Sequence, residues 1–400
     1  MNDKHCTFNT HRLVDLALAF IVACELVACA TTRLPAVPND AQNEAIVPGM
    51  PGIRYRLPDV DGLVRDARVT IEREQADLRA HGYRGSLPPI AYLAISGGAE
   101  NGAFGAGLLV GWTLHGDRPS FNVVTGVSTG ALIAPFAFLG PTYDTQLKRL
   151  YTETSAADVM FFRGYLYALL GDSVADNLPL QRLVDRNITQ ELLEAIATES
   201  KKGRTLLIAT TDLDAQTSVL WNVTLIAESR HPNALNLVRQ ILIASAAIPG
   251  EFPPVMIDVE ANGRRYQEMH VDGGTTHQVF TMPPQLVLRN IAPRERTLYI
   301  IRNSRLVMSS KEVERNTLSI AGRAVESLIH TQGIGDIYEI AASAQRDGAN
   351  LRLAYIPDDF QRVPREPFER DFMKELFALG YDLGKKGYPW RTAPPGMEKP

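Results

Sequence analysis

The sequence predicts an α/β protein with a largely parallel central sheet. Almost continuous apolar runs, such as Ile90–Ser96 and Phe121–Thr125, are typical of strands that are buried on both faces. Segments with helical periodicity follow several of these runs, and strands that alternate with helices favour a parallel sheet. The 400 residues are 45% apolar and 22% charged, as in an ordinary globular protein.

Taken in chain order, the elements begin with a proline-rich segment at 30–60 that suits a linker or an extended arm. A helix is predicted over 61–81. The two apolar strands then lead into helices at 102–112 and 129–138. The later strands are predicted at Thr205–Asp212, Ser218–Val223, Val255–Val259, Met269–Asp272, Thr297–Asn303 and Leu351–Ile356.

The first 29 residues contain all three cysteines and resemble a bacterial lipoprotein signal peptide. An apolar run at 16–23 precedes Leu26–Cys29, which resembles a lipobox in which the cysteine is lipidated. Cys24 could serve in the same way, but a polar, proline-containing segment starts directly after Cys29 and favours that residue. We therefore expect a signal peptide at 1–28 and attachment of Cys29 to a membrane of the bacterial cell envelope, on the periplasmic side.

Charge and cysteine usage exclude several kinds of partner. The net charge of −4 gives no basic face of the kind that nucleic-acid binding requires. No cysteine follows residue 29, so the rest of the chain can form neither an intrachain disulfide nor a cysteine metal site.

Ser128 is the candidate nucleophile. It lies in the sequence Gly126-Val127-Ser128-Thr129-Gly130, between an apolar strand and a helical run. A Gly-x-Ser-x-Gly sequence at such a junction forms a sharp turn that exposes the serine oxygen, and flanking glycines prevent clashes with the strand and the helix. A serine hydroxyl also needs a base that removes its proton.

Two other segments supply the remaining chemistry. The glycine-rich turn at Gly97, Gly98 and Ala99 ends a buried strand, and its amides can point at a developing negative charge. Asp272 ends another predicted strand and is followed by Gly273 and Gly274. An aspartate can act as a base at neutral pH only when an apolar environment raises its pKa.

Several other residues are open to two interpretations. His277 would complete a Ser–Asp–His triad, whereas a Ser–Asp dyad does not need it. His270 lies on the same strand face as Asp272 and is most simply an ordinary strand histidine. Asp212 and Asp214 are typical of turn residues rather than metal ligands, and Ser245 lies in no nucleophile turn.

Together these segments resemble the patatin-like phospholipase family. Gly97–Gly102 matches its glycine-rich oxyanion loop, Gly126–Gly130 its nucleophile elbow, and Asp272–Gly274 its aspartate motif. Ala244–Pro254 resembles a further recurring block, and the resemblance covers roughly residues 88–305 in the order of the family. Two positions depart from the pattern, because Ala99 replaces a third glycine and Asn101 replaces a basic residue that could anchor a lipid phosphate.

The resemblance implies a three-layer α/β/α fold and hydrolysis of fatty acyl esters without a metal or other cofactor. By position, Ser128 is the nucleophile, Asp272 is the base, and Gly97, Gly98 and Ala99 form the oxyanion hole. The glycines of the elbow and of the supporting turns are Gly126, Gly130, Gly102, Gly273 and Gly274.

We therefore expect a serine acyl hydrolase acting on a membrane lipid or lysolipid. The acyl hydrolase domain is predicted at 88–360, after a tether and helical arm at 29–87 and before a C-terminal tail at 361–400. Two alternatives stay open, namely an α/β-hydrolase with a catalytic His277 and a lipoprotein that binds lipid without catalysis.

Overall fold

The computed structural model describes residues 33–163, 171–283, 285–287, 292–307, 310 and 312–397. Cys24, Cys29 and the expected signal peptide at 1–28 lie outside these residues. The prediction of lipidation therefore stays a prediction.

The described part of the chain contains eleven strands, nine of which form one central sheet. In chain order they are β1 (Arg54–Arg56), β2 (Ile90–Ile95), β3 (Val123–Gly126), β4 (Phe161–Phe162), β5 (Ala175–Asp176), β6 (Thr205–Asp212), β7 (Thr217–Asn222), β8 (Val255–Ala261), β9 (Arg264–Asp272), β10 (Arg296–Arg302) and β11 (Asn350–Tyr355). The short β4 and β5 pair with each other outside the central sheet.

The central sheet has the order β1-β7-β6-β3-β2-β10-β11, and its five strands from β6 to β11 are parallel. At the other edge, β7 and β1 are antiparallel to their neighbours. The predicted, largely parallel sheet is therefore confirmed. Every residue of β6 is buried, as its apolar sequence predicts for a strand covered on both faces.

The α-helices of the described residues flank this sheet. They are α1 (Asp61–Ala80), α2 (Gly102–His115), α3 (Thr129–Leu139), α4 (Asp144–Thr152), α5 (Ala156–Val159), α6 (Leu178–Asn187), α7 (Gln190–Lys201), α8 (Val223–Ser229), α9 (Ala234–Ser245), α10 (Thr317–Asp347) and α11 (Arg370–Lys385). Within the described ranges, no helix combines the length and apolarity needed to cross a membrane.

Alternate residues of β2 enter two separate hydrophobic layers. Leu93 and Ile95 pack in the larger core, which includes side chains of α2, α3, α4, α7, α9 and α11. Tyr92 and Ala94 point to the opposite face, where Leu63 of α1 and Ile337 of α10 are buried. Because successive side chains of a strand alternate between faces, this pattern defines the expected α/β/α layering.

The hairpin of β8 and β9 brings the C-terminal end of β9 to the middle of the sheet. Thr210 of β6 pairs with Val219 of β7 on one edge and with Asp272 of β9 on the other. That second edge of β6 is the one that β3 occupies up to the pair Gly126–Ile208. The end of β9 therefore continues the sheet where β3 stops.

Two segments outside the predicted domain limits of 88–360 belong to the same fold. Residues 33–60 are not a free linker, because β1 extends the sheet and Ile46 bridges to Glu260 of β8. Val47 and Met50 are buried in the larger core. The proline-rich composition was consistent with an extended chain but did not reveal that the chain packs on the domain.

Most of the C-terminal tail expected at 361–400 packs against the domain. Helix α11 packs against α2 at very short range, and a Cβ atom added to Gly107 would lie 2.1 Å from the carbonyl oxygen of Phe377. Phe372 and Leu376 are buried on the same helix. Glycines in both helices allow the backbones to approach, so this segment completes one helical layer.

Candidate functional site

Ser128 occupies a strained turn between β3 and α3. Its backbone angles are φ 54° and ψ −125°, a left-handed conformation that is unusual for a residue with a side chain. Such a conformation costs about 1–3 kcal/mol and persists where the surrounding structure enforces it. The packing around the turn is tight: a Cβ atom at Gly130 would lie 2.2 Å from the carbonyl oxygen of Ile95, so only a glycine fits there. The predicted elbow at Gly126–Gly130 therefore has the geometry that its sequence indicates.

Ser245 supports this turn from the end of α9. The backbone N–H of Ser128 donates to Oγ of Ser245 over 3.0 Å, and that hydroxyl donates to the carbonyl oxygen of Ala209 over 2.7 Å. Ser245 could not be selected from the sequence, because a contact between residues 117 positions apart leaves no local pattern. Its position in the Ala244–Pro254 block was the one available signal.

Asp272 reaches the elbow because β9 continues the sheet beyond β3. Its N–H donates to the carbonyl oxygen of Ala247 over 2.8 Å, and its own carbonyl accepts a hydrogen bond from Oγ1 of Thr211 over 3.0 Å. In the side chain, Oδ1 accepts the N–H of Gly274 over 2.6 Å. These bonds fix the carboxyl group in one orientation.

The second carboxyl oxygen of Asp272 is available for chemistry. Oδ2 is buried and has no hydrogen-bond partner among the residues that the structure describes. Burial raises the pKa of Asp272 to about 7, and this effect outweighs the nearby Ser128 hydroxyl and the Gly274 N–H, which both favour the charged form. The two side chains are thus close, although no hydrogen bond of normal geometry joins them here.

Two further carboxyl groups lie on the same side of the site. Burial raises the pKa of Glu251, and the charge of Glu100 raises it further. Burial also raises the pKa of Glu100. Glu251 in turn contributes to the raised pKa of Asp272, because its negative charge disfavours a second one nearby.

The glycine-rich turn after β2 offers two unused backbone donors. Gly98 has a φ of 152°, and Ala99 adopts the left-handed region with a φ of 48°. Ala99 thus takes the backbone conformation that a glycine would adopt without strain. Neither N–H donates a hydrogen bond to any group in the described ranges.

The predicted third donor of the turn is already engaged. The N–H of Gly97 donates to the carbonyl oxygen of Gln278 over 3.0 Å. Gly97 nevertheless lies at the elbow, because a Cβ atom at this position would be 3.1 Å from Cβ of Ser128. The N–H of Gly97 is therefore not free to stabilise an oxyanion, and the candidate donors are those of Gly98 and Ala99.

Two cavities meet at this turn. The first, which we call the apolar slot, has a volume of about 50 Å³ and contacts Ser128 and Ala99. Most of its other walls are apolar, and three lining residues, Thr129, Tyr151 and Thr154, carry hydroxyl groups. The apolar lining residues are Leu132, Leu150, Val159, Leu180, Leu183, Ala246, Ile248, Phe252, Phe368 and Met373. The apolar part of this lining suits the first methylene groups of a hydrocarbon chain.

The second cavity is lined by Gly97 and Gly98 of the same turn and has a volume of about 400 Å³. We call it the arginine pocket, because four arginines line it, namely Arg302, Arg305, Arg323 and Arg362, with His330 and Asn101 beside them. The lining also includes one carboxylate, that of Glu326, which forms an ion pair with Arg323. The turn therefore borders two cavities, with Gly97 and Gly98 lining the arginine-rich one and Ala99 lining the apolar slot.

The histidines lie away from the Ser128–Asp272 pair. His277 lies beside Asp336 in a different cavity, and its Nδ1 is buried without a hydrogen-bond partner among the described residues. His270 contacts Thr210 through Nδ1 and Glu268 through Nε2. No histidine of the described ranges has a hydrogen bond to Ser128 or Asp272.

A buried ionic cluster lies next to His270. Asp212, Glu268 and His270 bring potential ligand atoms within 4.8 Å of one another. Arg54 and Arg56 already form ion pairs with these carboxylates. Burial would raise the pKa of Glu268, but the hydrogen bond to His270 and the charge of Arg54 hold that pKa well below its usual range. The two arginines supply the positive charge that a metal ion would otherwise supply.

Comparisons with known proteins agree with the sequence motifs. The model of the patatin-like phospholipase family matches residues 93–284, which include the glycine-rich turn, the elbow and Asp272. Residues 93–284 are thus similar to a patatin-like phospholipase domain. A comparison with curated protein sequences finds no match.

Among solved structures, the crystal structure of VipD from Legionella pneumophila is similar to this chain. The two share 11% sequence identity with a TM-score of 0.36, over 74% of this chain and 66% of VipD. The chain therefore spans slightly less than two thirds of the length of VipD.

Proposed function

We propose that the protein is a serine acyl hydrolase that cleaves fatty acyl esters of phospholipids or related lipids. The observation that carries the proposal is the pairing of a strained Ser128 with a buried Asp272 whose Oδ2 is free. Burial raises the pKa of Asp272 to about 7, so near neutral pH this carboxylate is a much stronger base than an exposed aspartate.

In the proposed reaction, Asp272 accepts the hydroxyl proton of Ser128 as Oγ attacks the ester carbonyl carbon. The negative charge that develops on the carbonyl oxygen is stabilised by the N–H groups of Gly98 and Ala99. Loss of one such donor typically costs about 3 kcal/mol of transition-state stabilisation. The alcohol leaves with a proton from Asp272, and a water molecule activated by the same carboxylate then hydrolyses the acyl-enzyme.

The surroundings of Ser128 favour a lipid acyl group over a polar one. The apolar slot begins at the nucleophile and is lined by side chains such as Leu132, Leu180 and Phe252. A hydrocarbon chain in this slot would lose its contact with water and place its ester at the mouth of the slot. The family match at 93–284 supports the same substrate class.

We also propose that the protein acts at a membrane of the bacterial cell envelope, to which it is attached through Cys29. This proposal depends on the sequence Leu26–Cys29 alone. It is tested by growing bacteria that express the full chain with an alkyne-labelled fatty acid. Label should be incorporated into the wild-type protein and not into Cys29→Ser, and retention of the label in that variant would reject the assignment.

The enzymatic proposal is tested with a mixed bacterial lipid extract and mass spectrometry of the released products. Wild-type protein should release free fatty acids, and Ser128→Ala should release none above background. Ser218→Ala is a suitable control, because this serine is also buried, at 3% exposure against 6% for Ser128, and its hydroxyl has no hydrogen-bond partner among the described residues. Release by Ser128→Ala at the wild-type rate would reject Ser128 as the nucleophile. No release by any variant would favour a lipid-binding protein without catalysis.

A further inference from the structure

Arg302 is a buried cation without an acidic partner. It is the last residue of β10, is 3% exposed and lines the arginine pocket. Its Nε donates to the carbonyl oxygen of Arg305 over 3.2 Å, while Nη1 and Nη2 have no hydrogen-bond partner among the residues that the structure describes. Buried charges in proteins are normally paired, so a guanidinium in this state is suited to an anion from outside the chain.

Asp336, whose negative charge acts on Arg302, does not form an ion pair with it. Asp336 contributes a favourable charge from a distance, but its Oδ2 already accepts the backbone N–H groups of Gln278 and Val279. Burial lowers the pKa of Arg302 to about 10, and the charge of Asp336 offsets this only in part. At neutral pH the guanidinium therefore stays charged.

The rest of the pocket adds positive charge and unsatisfied polar atoms around Arg302. Nε2 of His330 is buried without a hydrogen-bond partner in the described ranges, and the charge of Arg302 contributes to lowering the pKa of this histidine, after burial. Arg323 and Arg362 at the same cavity form ion pairs with glutamates, so they are already partly neutralised. Arg302 is thus the deepest cation that an incoming anion would meet.

The pocket is adjacent to the proposed reaction centre. Gly97 and Gly98 line it, and a Cβ atom at Gly97 would lie 3.1 Å from Cβ of Ser128. The apolar slot is lined by the next residue of the same turn, Ala99, and by Ser128. An ester held at Ser128 with its acyl chain in the slot would therefore direct its alcohol portion across the turn towards Arg302.

We propose that the arginine pocket binds the phosphate of a glycerophospholipid, with the guanidinium of Arg302 as its main ligand. This inference rests on the proposed acyl hydrolase function and names the part of the substrate that this cavity selects. A planar guanidinium can hold two phosphate oxygens at once, which gives both affinity and orientation. Asn101, which also lines the pocket, contributes no charge, so the cation comes from β10.

The kinetic test compares two substrates with identical acyl chains in the same neutral micelles, phosphatidylcholine and diacylglycerol. In Arg302→Gln, the ratio of kcat/KM for phosphatidylcholine to kcat/KM for diacylglycerol should fall about 10- to 100-fold, as expected for the loss of a charged hydrogen bond. Arg296→Gln is the matched control, because Arg296 is 4% exposed at the opposite end of β10. An unchanged ratio in Arg302→Gln would overturn the proposal.

Because removal of a buried arginine can itself disturb folding, a second variant tests the pocket with Arg302 in place. Ser304 lines the pocket and is only partly buried, so Ser304→Glu adds a carboxylate beside the phosphate position while Arg302 is retained. The same ratio should fall in this variant, with an unchanged circular dichroism spectrum. A ratio that stays at the wild-type value in folded Ser304→Glu protein would count against the pocket.

A binding measurement separates this proposal from the proposed enzymatic function. Titration calorimetry of the full chain carrying Ser128→Ala should detect binding of glycerophosphocholine, a soluble phosphodiester. Adding Arg302→Gln should abolish that binding, and adding Arg296→Gln should not.

Binding that depends on Arg302 in a protein that hydrolyses no ester would support the pocket and reject the hydrolase. Absence of binding, or binding unaffected by Arg302→Gln, would overturn the pocket whatever the activity. Tighter binding of inorganic phosphate than of the phosphodiester would assign the site to free phosphate and would also overturn the proposal.

Discussion

Replacement of Asp272 by Asn should remove activity and yet stabilise the folded protein at high pH. Burial raises the pKa of Asp272 from 3.8 to about 7, which corresponds to about 4 kcal/mol of unfavourable free energy for the charged form. Because the folded state holds the proton more tightly than the unfolded state, this cost appears as the pH rises from about 4 to 7. Below that range the group is protonated in both states.

The stabilisation expected for Asp272→Asn is smaller than the free-energy cost of the charged Asp272. Asn retains an oxygen that can accept the Gly274 N–H, but its amide nitrogen would take the place of Oδ2 without an acceptor, which costs about 1–3 kcal/mol. We expect a net stabilisation of about 1–3 kcal/mol at pH 9. Between pH 5 and pH 9 the amide contribution is constant, so the difference between variant and wild type should change by about 2–3 kcal/mol.

The assay is urea unfolding followed by tryptophan fluorescence at pH 5 and pH 9, with stability obtained by linear extrapolation. Asp358→Asn, at an exposed position, is the control and should change stability little at either pH. A stability difference for Asp272→Asn that is the same at both pH values would refute the raised pKa. Destabilisation at pH 9 would refute it as well.

Three further predictions concern the neighbours of the pair. Ser245→Ala removes the acceptor of the Ser128 N–H and should lower kcat about 10-fold with little change in KM, as measured by steady-state kinetics; an unchanged kcat would contradict the supporting role. Glu251→Gln removes a negative charge near Asp272 and should move the acidic limb of the kcat/KM profile to lower pH, so a limb that stays in place would reject this coupling. His277→Ala should retain ester turnover, whereas loss of turnover in a folded variant would restore the triad alternative.

The elements that position the site could be predicted because they are local. The apolar run at Thr205–Asp212 gives the bounds of β6 without error, and β3 and its elbow follow from a strand, a glycine-flanked serine and a helix. The predicted strand at Met269–Asp272 is only the second part of β9. Its first part, from Arg264, is polar and partly exposed in a hairpin at the sheet edge, so it lacks the apolar signal of a buried strand.

Contacts between distant segments could not be predicted in the same way. The hydrogen bond from the Gly97 N–H to Gln278 depends on a loop 181 residues further along the chain, and the hydrogen bond from Ser128 to Ser245 depends on the packing of α9. Each of the two helices contains glycines four residues apart, Gly107 and Gly111 in α2 and Gly380 and Gly384 in α11. That spacing was present in the sequence, but the Gly- and Lys-rich composition of the last residues suggested a tail instead.

The most direct measurement of the central claim is the labelling rate of the protein by a fluorophosphonate, with the modified residue identified by peptide mass spectrometry. We predict one adduct, on the peptide that contains Ser128, and a rate at pH 8 that falls at least about 100-fold in Asp272→Asn. Equal labelling of wild type and Asp272→Asn, or an adduct on a different serine, would contradict the assignment of Ser128 and Asp272 as nucleophile and base.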